Sequence, residues 1–120
     1  MDSEELNERF LTFVADLVNM LKKLSETHIG KLISSQLFRS ASSSGANYQE
    51  ACAGESRADF IHKLQIVLKE LRESIYWLRL IGKLSLVSSN EIDPMINEAR
   101  QLANIIGKSI VTSKSPRKKN

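Results

Sequence analysis

The chain has 120 residues, of which 42% are apolar and 26% are charged, so it is long enough for one small domain with a single hydrophobic core. No apolar run approaches the roughly 20 residues needed to cross a bilayer, and the acidic N-terminus is unlike a secretory signal. The lone cysteine cannot form an internal disulfide, and these features together predict a cytoplasmic protein without a membrane partner.

The net charge of +3 is distributed unevenly along the chain. Residues 112–120 hold four cations and no acid, which leaves 13 basic and 14 acidic residues in the rest of the sequence. Residues 1–20 carry a net charge of −4, whereas residues 21–83 carry +4. A polyanion is therefore expected to bind the middle of the chain and its C-terminal tail.

The first two predicted helices cover residues 3–24 and 29–53. Asp2 is the predicted cap of the first helix. Its apolar side chains recur at steps of three and four residues and form one stripe: Leu6, Phe10, Phe13, Leu17, Met20 or Leu21, and Leu24. The second helix has a weaker stripe, which consists of Ile29, Ile33, Leu37, Ala41 and Tyr48.

Residues 40–46 of the second helix are all small, and four of the seven are serines. Such a run has two interpretations: a functional one, as a phosphate cradle or a nucleophilic serine, and a structural one, as a place where two helix backbones approach closely. The spacing does not match a phosphate-binding loop, which favours the close approach of helices.

The third helix is predicted over residues 57–82 with Ser56 as its cap, and the fourth over residues 91–111 with Pro94 in its first turn. The third has the clearest core stripe, formed by Phe60, Leu64, Val67, Leu71, Ile75 and Leu78. The stripe of the fourth comprises Ile92, Ile96, Ala99, Ala103, Ile106 and Ile110. We therefore predict an all-α protein in which residues 1–111 form an antiparallel up-and-down four-helix bundle and residues 112–120 form a disordered basic tail.

A second stripe on the third helix is cationic and lies roughly 120° from the core stripe. It comprises Lys69, Arg72, Tyr76, Arg79 and Lys83. This pattern predicts a surface that follows a nucleic-acid backbone, and the alternative is an ordinary solvated face. Further phosphate contacts are predicted for the cations of the tail, which are Lys114, Arg117, Lys118 and Lys119.

A third face of the same helix carries Ile66, Trp77 and Leu80. The outer face of a helix in a four-helix bundle is normally wet, so large apolar side chains there predict a contact between subunits. The alternative is that neighbouring helices of the same chain cover this face.

The sequence lacks a convincing catalytic or metal-binding constellation. Asp59 and His62 have the acid–histidine spacing of a di-metal helix, but the second such pair that this site requires is missing. The spacing of Glu50, Cys52 and His62 does not indicate that they converge on a zinc ion. Cys52 is expected to be a small buried residue. We predict no catalytic residue, no metal and no cofactor, and hence no enzyme.

Glu50 and Glu73 have two possible environments. They are either exposed carboxylates or buried ones, and a buried carboxylate would pair with Arg39, Arg57 or Arg72.

Four stretches of the chain together resemble a known family: residues 36–41 (QLFRSA), 45–51 (GANYQEA), 56–64 (SRADFIHKL) and 69–78 (KELRESIYWL). They resemble the four-helix-bundle proteins encoded in intervening sequences of bacterial 23S ribosomal RNA genes. Many members carry Asn-Ile-Ala-Glu-Gly in the second helix, and residues 47–51 of this chain (NYQEA) differ from that motif at three positions.

The resemblance implies a bacterial cytosolic bundle that forms homo-oligomers, with a pentamer favoured, and that has no known catalytic activity. The family is also similar to the accessory proteins of diversity-generating retroelements, which form basic pentameric barrels that bind nucleic acid and a reverse transcriptase. We therefore expect a homo-oligomeric module that binds RNA, DNA or a ribonucleoprotein through basic helix faces. The alternative is a scaffolding module that binds a protein, such as a reverse transcriptase, without contacting nucleic acid.

Overall fold

Four α-helices make up most of the protein. The computed structural model describes residues 1–24, 26–54 and 56–116, and its helices are α1 (Ser3–Leu21), α2 (His28–Cys52), α3 (Arg57–Lys83) and α4 (Ser89–Lys114). A 3-10 turn, Lys22–Leu24, follows α1 directly. The part of the chain that the structure describes contains no β-strand, and the predicted all-α fold is confirmed.

The helices form a four-membered bundle in chain order. Each helix packs against the next, the α2–α3 contact is the most extensive, and α1 also contacts α4. The short connections make consecutive helices antiparallel. Arg9 on α1 ties the first helix to the last by donating to both carboxylate oxygens of Glu98, at 2.8 Å from Nε and 2.7 Å from Nη2. This two-pronged geometry orients α1 against α4.

Side-chain caps set the start of three helices. The Asp2 carboxylate caps α1 and the Ser56 hydroxyl caps α3, each accepting from the backbone N–H three residues later, at 2.9 and 3.1 Å. Both caps confirm the prediction. Thr27 caps α2 in the same way, at 2.9 Å, so α2 begins one residue before the predicted start.

The bounds of α4 were predicted wrongly at both ends. The helix begins at Ser89 without a side-chain cap to mark its start, so Pro94 lies in the second turn rather than the first. It continues to Lys114, because adding residues to an existing helix costs little once it is nucleated. Residues 112–114 are therefore helical rather than part of a disordered tail, and residues 117–120 lie outside the described residues.

The predicted core is largely the observed one. Every apolar residue of the α1 stripe is buried, and Ile33, Leu37, Ala41 and Tyr48 of α2 are buried as well. Ile29 contradicts its prediction with an exposed fraction of 53%, because it lies in the first turn of α2 at the end of the bundle.

The buried stripes of α3 and α4 are rotated slightly from their predicted positions. On α3, Phe60 and Ile75 are half-buried, whereas Ser74 and Ile81 are fully buried. Ile96 and Ala103 of α4 are likewise half-buried, and the core instead receives two residues outside the predicted stripe, Met95 and Leu102.

The small residues of α2 bring its backbone close to two other helices. Ser40 and Ser44 are fully buried, and the hydroxyl oxygens of Ser40 and Ser74 lie 2.8 Å apart across the α2–α3 contact. A methyl group built on Gly45 would lie 3.3 Å from Cβ of Phe10 on α1. These contacts confirm the interpretation of residues 40–46 as a close helix approach.

Two helical glycines should respond oppositely to alanine. We expect Gly107→Ala to raise the free energy of unfolding by about 0.5–1 kcal/mol, because alanine is the better helix former and nothing lies within 4 Å of the added methyl group. Gly30→Ala should lower the free energy of unfolding, because the added methyl group would clash with the backbone carbonyl oxygen of Leu24. Thermal unfolding followed by circular dichroism measures both, and equal melting temperatures for the two variants would contradict this packing.

Candidate nucleic-acid interface

A long surface groove runs between α3 and α4. It has two adjoining stretches, of about 730 and 750 Å³, which share Arg100. Five cations line it, and we call it the cationic groove: Arg72, Arg79, Lys83, Arg100 and Lys108. Asp93 is the one carboxylate among the lining residues that the structure describes.

The five groove cations are exposed, and within the described residues none of them forms an ion pair. Unpaired cations along a concave surface concentrate positive potential where a polyanion can reach it. Apolar side chains, including Leu68, Ile75 and Ile96, form the floor of the groove. The arrangement suits an extended anionic chain that lies between the two helices.

Only part of the predicted cationic stripe of α3 lines the cationic groove. All five of its residues are exposed, but only Arg72, Arg79 and Lys83 line the cationic groove. Lys69 lies outside the groove lining, and its positive charge helps to lower the pKa of Glu73. Tyr76 is 60% exposed and lies beside Arg79 and Lys83.

The tail cations are only partly described. Lys114 is exposed in the last turn of α4, outside the lining of the cationic groove. Arg117, Lys118 and Lys119 lie outside the described residues, so their predicted phosphate contacts stay predictions.

The contribution of α4 to the groove was not predicted from the sequence. Arg100 and Lys108 are eight residues apart with Asn104 midway, a spacing that places all three on one side of a helix. That signal was present in the sequence. It becomes informative only when the rotation of α4 against α3 is known.

A charged cluster joins α2 to α3. The Arg39 guanidinium donates to Glu70 at 3.0 Å and also to Glu73, and Glu73 accepts from Nε1 of Trp77 at 3.0 Å. Glu73 is half-buried, and Glu70, which was not predicted to be buried, has an exposed fraction of 8%. Of the predicted arginine partners Arg39 is the one used, whereas Glu50 is exposed and pairs with Lys63 at 2.8 Å.

The cluster predicts a pH dependence of stability. Hydrogen bonds from Trp77 and Arg39 lower the pKa of Glu73, so this carboxylate stabilises the fold above the unfolded-state pKa of about 4.3 and loses its contribution as the pH falls through the lower folded-state pKa. We expect Glu73→Gln to melt at a lower temperature than the wild type at neutral pH. The difference between the two melting temperatures should shrink progressively below about pH 4.3. Melting curves of both proteins between neutral and acidic pH test this, and a constant difference would contradict it.

An apolar groove of about 310 Å³ lies between α2 and α3, on the other side of α3. We call it the apolar groove, and its principal lining residues are Ile29, Leu32, Trp77, Leu80 and Leu84. Ile29, Leu32 and Leu84 are about half exposed, at 53%, 52% and 48%.

Two of the three predicted interface residues share this groove. Trp77 and Leu80 are half-buried and pack against the core of their own chain, yet both line the apolar groove. Ile66 is half-buried and lies elsewhere, roughly 16 Å from Trp77 along the axis of α3. The charged cluster around Arg39 lies between Ile66 and the groove.

The remaining chemical candidates occupy separate places. Cys52 is exposed, which contradicts its predicted burial, because it is the last residue of α2. Within the described residues, no group of three or more His, Cys, Asp and Glu side chains is arranged to hold a metal ion. No helix in the described part of the chain has both the length and the apolarity that a membrane span requires.

The fold and its packing define a small four-helix-bundle protein that carries the cationic groove and the apolar groove. The chain belongs to the family of 23S rRNA-intervening sequence proteins, whose family model matches residues 5–108. This confirms the resemblance found in the sequence.

A solved structure has the same fold. It is the crystal structure of a protein with unknown function from the S23 ribosomal protein family of Bacteroides thetaiotaomicron VPI-5482. The two sequences are 33% identical, the TM-score is 0.82, and the match covers 88% of this chain and 97% of that chain. No curated protein matches this sequence.

Proposed function

We propose that this protein is a non-catalytic, homo-oligomeric module that binds RNA through the cationic groove. The observation that carries this proposal is the convergence of exposed cations from two helices, with Arg72, Arg79 and Lys83 on α3 facing Arg100 and Lys108 on α4. Three of the five are arginines, whose guanidinium groups present several donors to phosphate oxygens at once. A line of such groups follows a backbone of closely spaced phosphates better than it binds a single anion.

A binding titration at two salt concentrations tests the proposal. Fluorescence anisotropy of a labelled RNA should give a Kd that rises steeply between about 50 and 200 mM salt, because bound phosphates release counterions. The same titration with a chain ending at Ser115, which lacks Arg117, Lys118 and Lys119, separates the groove from these three tail cations. We expect the shortened protein to keep a steep salt dependence, and loss of all binding on shortening would contradict the groove as the site.

Self-association is proposed from the apolar groove. Ile29, Leu32 and Leu84 leave apolar surface exposed beside Trp77 and Leu80, and a second copy of the chain would remove that surface from water. The pentamer implied by the family resemblance, like the similarity to retroelement accessory proteins, stays a prediction.

Charge in the apolar groove should dissociate the oligomer. We expect Leu32→Glu/Leu84→Glu to be smaller in solution than the wild type, because a buried unpaired carboxylate at an interface is strongly unfavourable. Light scattering coupled to gel filtration measures the mass. Leu11→Glu, at an exposed position on α1, is the matched control and should leave the mass of the assembly unchanged. A monomeric wild-type protein at micromolar concentration would contradict the interface.

The second candidate function is a scaffold for a protein partner, such as a reverse transcriptase. The apolar groove favours it, because the same exposed surface fits a helix of another protein as well as a second copy. This candidate predicts no RNA binding once the chain ends at Ser115, so the titration described above also decides between the two functions.

A further inference from the structure

We propose that a pocket beside the cationic groove holds one unpaired base of the bound RNA, so that the preferred ligand is single-stranded. This inference rests on the proposed function, since it concerns the RNA that the groove binds. The pocket is lined by four residues of α3 and is called the tyrosine pocket: Tyr76, Arg79, Leu80 and Lys83.

The tyrosine pocket has the shape and chemistry of a stacking site. It is a shallow concavity of about 210 Å³ on one face of α3, open to solvent and wide enough for one base to lie on it. The ring of Tyr76 is 60% exposed and forms one wall, and Leu80 supplies a second apolar surface. Aromatic side chains stack on bases of any sequence, because every base has a π-face.

The ring of Tyr76 packs against the ring of the next residue, Trp77. Its centroid lies 5.1 Å from that of Trp77, and the two rings meet edge to face at 77°. Trp77 is fixed in turn by its hydrogen bond to Glu73, which Arg39 also contacts. A ring positioned in advance loses little freedom when a base stacks on it, which favours binding.

The tyrosine pocket and the cationic groove are joined through shared cations. Arg79 and Lys83 line both of them, so a phosphate held by these residues places its own nucleotide beside Tyr76. A base in a duplex is stacked and paired inside the helix and is not free to enter the pocket. A single strand offers both groups at once: phosphates for the groove and an unstacked base for Tyr76.

The test compares one labelled RNA strand of about ten nucleotides, alone and annealed to its complement. The proteins are the wild type, Tyr76→Ala, Tyr76→Phe, Arg100→Ala/Lys108→Ala and the control Phe38→Ala, which removes an exposed aromatic side chain from α2. We expect Tyr76→Ala to raise the Kd for the single strand about ten-fold and to leave the Kd for the duplex unchanged. Tyr76→Phe and Phe38→Ala should bind as the wild type does, since phenylalanine keeps the stacking ring.

The outcomes distinguish this inference from the proposed function. If Tyr76→Ala binds the single strand as tightly as the wild type does, the tyrosine pocket is not a base site. If Arg100→Ala/Lys108→Ala then still weakens both RNAs, the cationic groove stands without the pocket. If the wild type binds neither RNA, the proposed function itself fails. Because Trp77 is the sole tryptophan and touches Tyr76, its fluorescence gives a second readout, which should change with the single strand and remain constant with the duplex.

Discussion

Replacing Arg100 and Lys108 with alanine is expected to raise the Kd for RNA by about ten-fold or more. Both cations belong to α4, face the exposed cations of α3 and lack an ion pair among the described residues, so their removal leaves no buried partner behind. The slope of log Kd against log salt should also become shallower, by about 0.7 for each phosphate of a single strand that the variant no longer neutralises. Arg72→Ala/Arg79→Ala should have the same effect from the opposite wall of the groove.

A matched control separates the groove from the overall charge. Lys31→Ala/Arg57→Ala removes the same number of positive charges from exposed positions outside the groove. If net charge alone attracted RNA, this control would weaken binding as much as Arg100→Ala/Lys108→Ala does. We expect the control to keep most of the affinity and the full salt dependence.

Phe10→Ala is expected to have the largest effect on stability, a loss of about 3–5 kcal/mol in the free energy of unfolding. The side chain is 1% exposed, stacks on Tyr48 with ring centroids 5.4 Å apart, and packs against Gly45 of α2. Its removal leaves a cavity where α1 and α2 approach closely. Since small domains are stable by about 5–15 kcal/mol, the variant should lose a large part of its stability.

The neighbouring residue provides the control for this prediction. Leu11 is 59% exposed, so Leu11→Ala should change the free energy of unfolding by no more than about 0.5 kcal/mol. Urea unfolding followed by circular dichroism measures both variants. Equal losses for Phe10→Ala and Leu11→Ala would mean that α1 does not present Phe10 to the core.

Much of the fold could be predicted because helix periodicity and caps are local signals. The spacing of Leu6, Phe10 and Phe13 already places them on one face, and the Asp2 and Ser56 caps act within one turn. The errors occur where a local signal is missing or where tertiary packing decides. The start of α4 has no side-chain cap, and Ile29 follows the core periodicity of α2 but lies at the end of the bundle, where its side chain is about half exposed.

The candidate site was predictable only on α3. The 3-4-3-4 spacing of its cations and Tyr76 is visible in the sequence, and the structure leaves all of these residues exposed. The opposite wall depends on how α4 is rotated against α3, which no local pattern of Arg100 and Lys108 specifies. Likewise, no local pattern specifies the pairing of Arg39 with Glu70 and Glu73, because these carboxylates lie 31 and 34 residues further along the chain.

Ultraviolet crosslinking and mass spectrometry can show directly which face of the protein binds RNA. The assembled wild-type protein is irradiated with a bound single-stranded RNA, and the crosslinked residues are identified in its peptides. The cationic groove predicts crosslinks within residues 69–83 of α3, with Tyr76 prominent, and within residues 97–112 of α4. Crosslinks confined to α1 and α2, or to the residues that follow Ser115, would contradict the account.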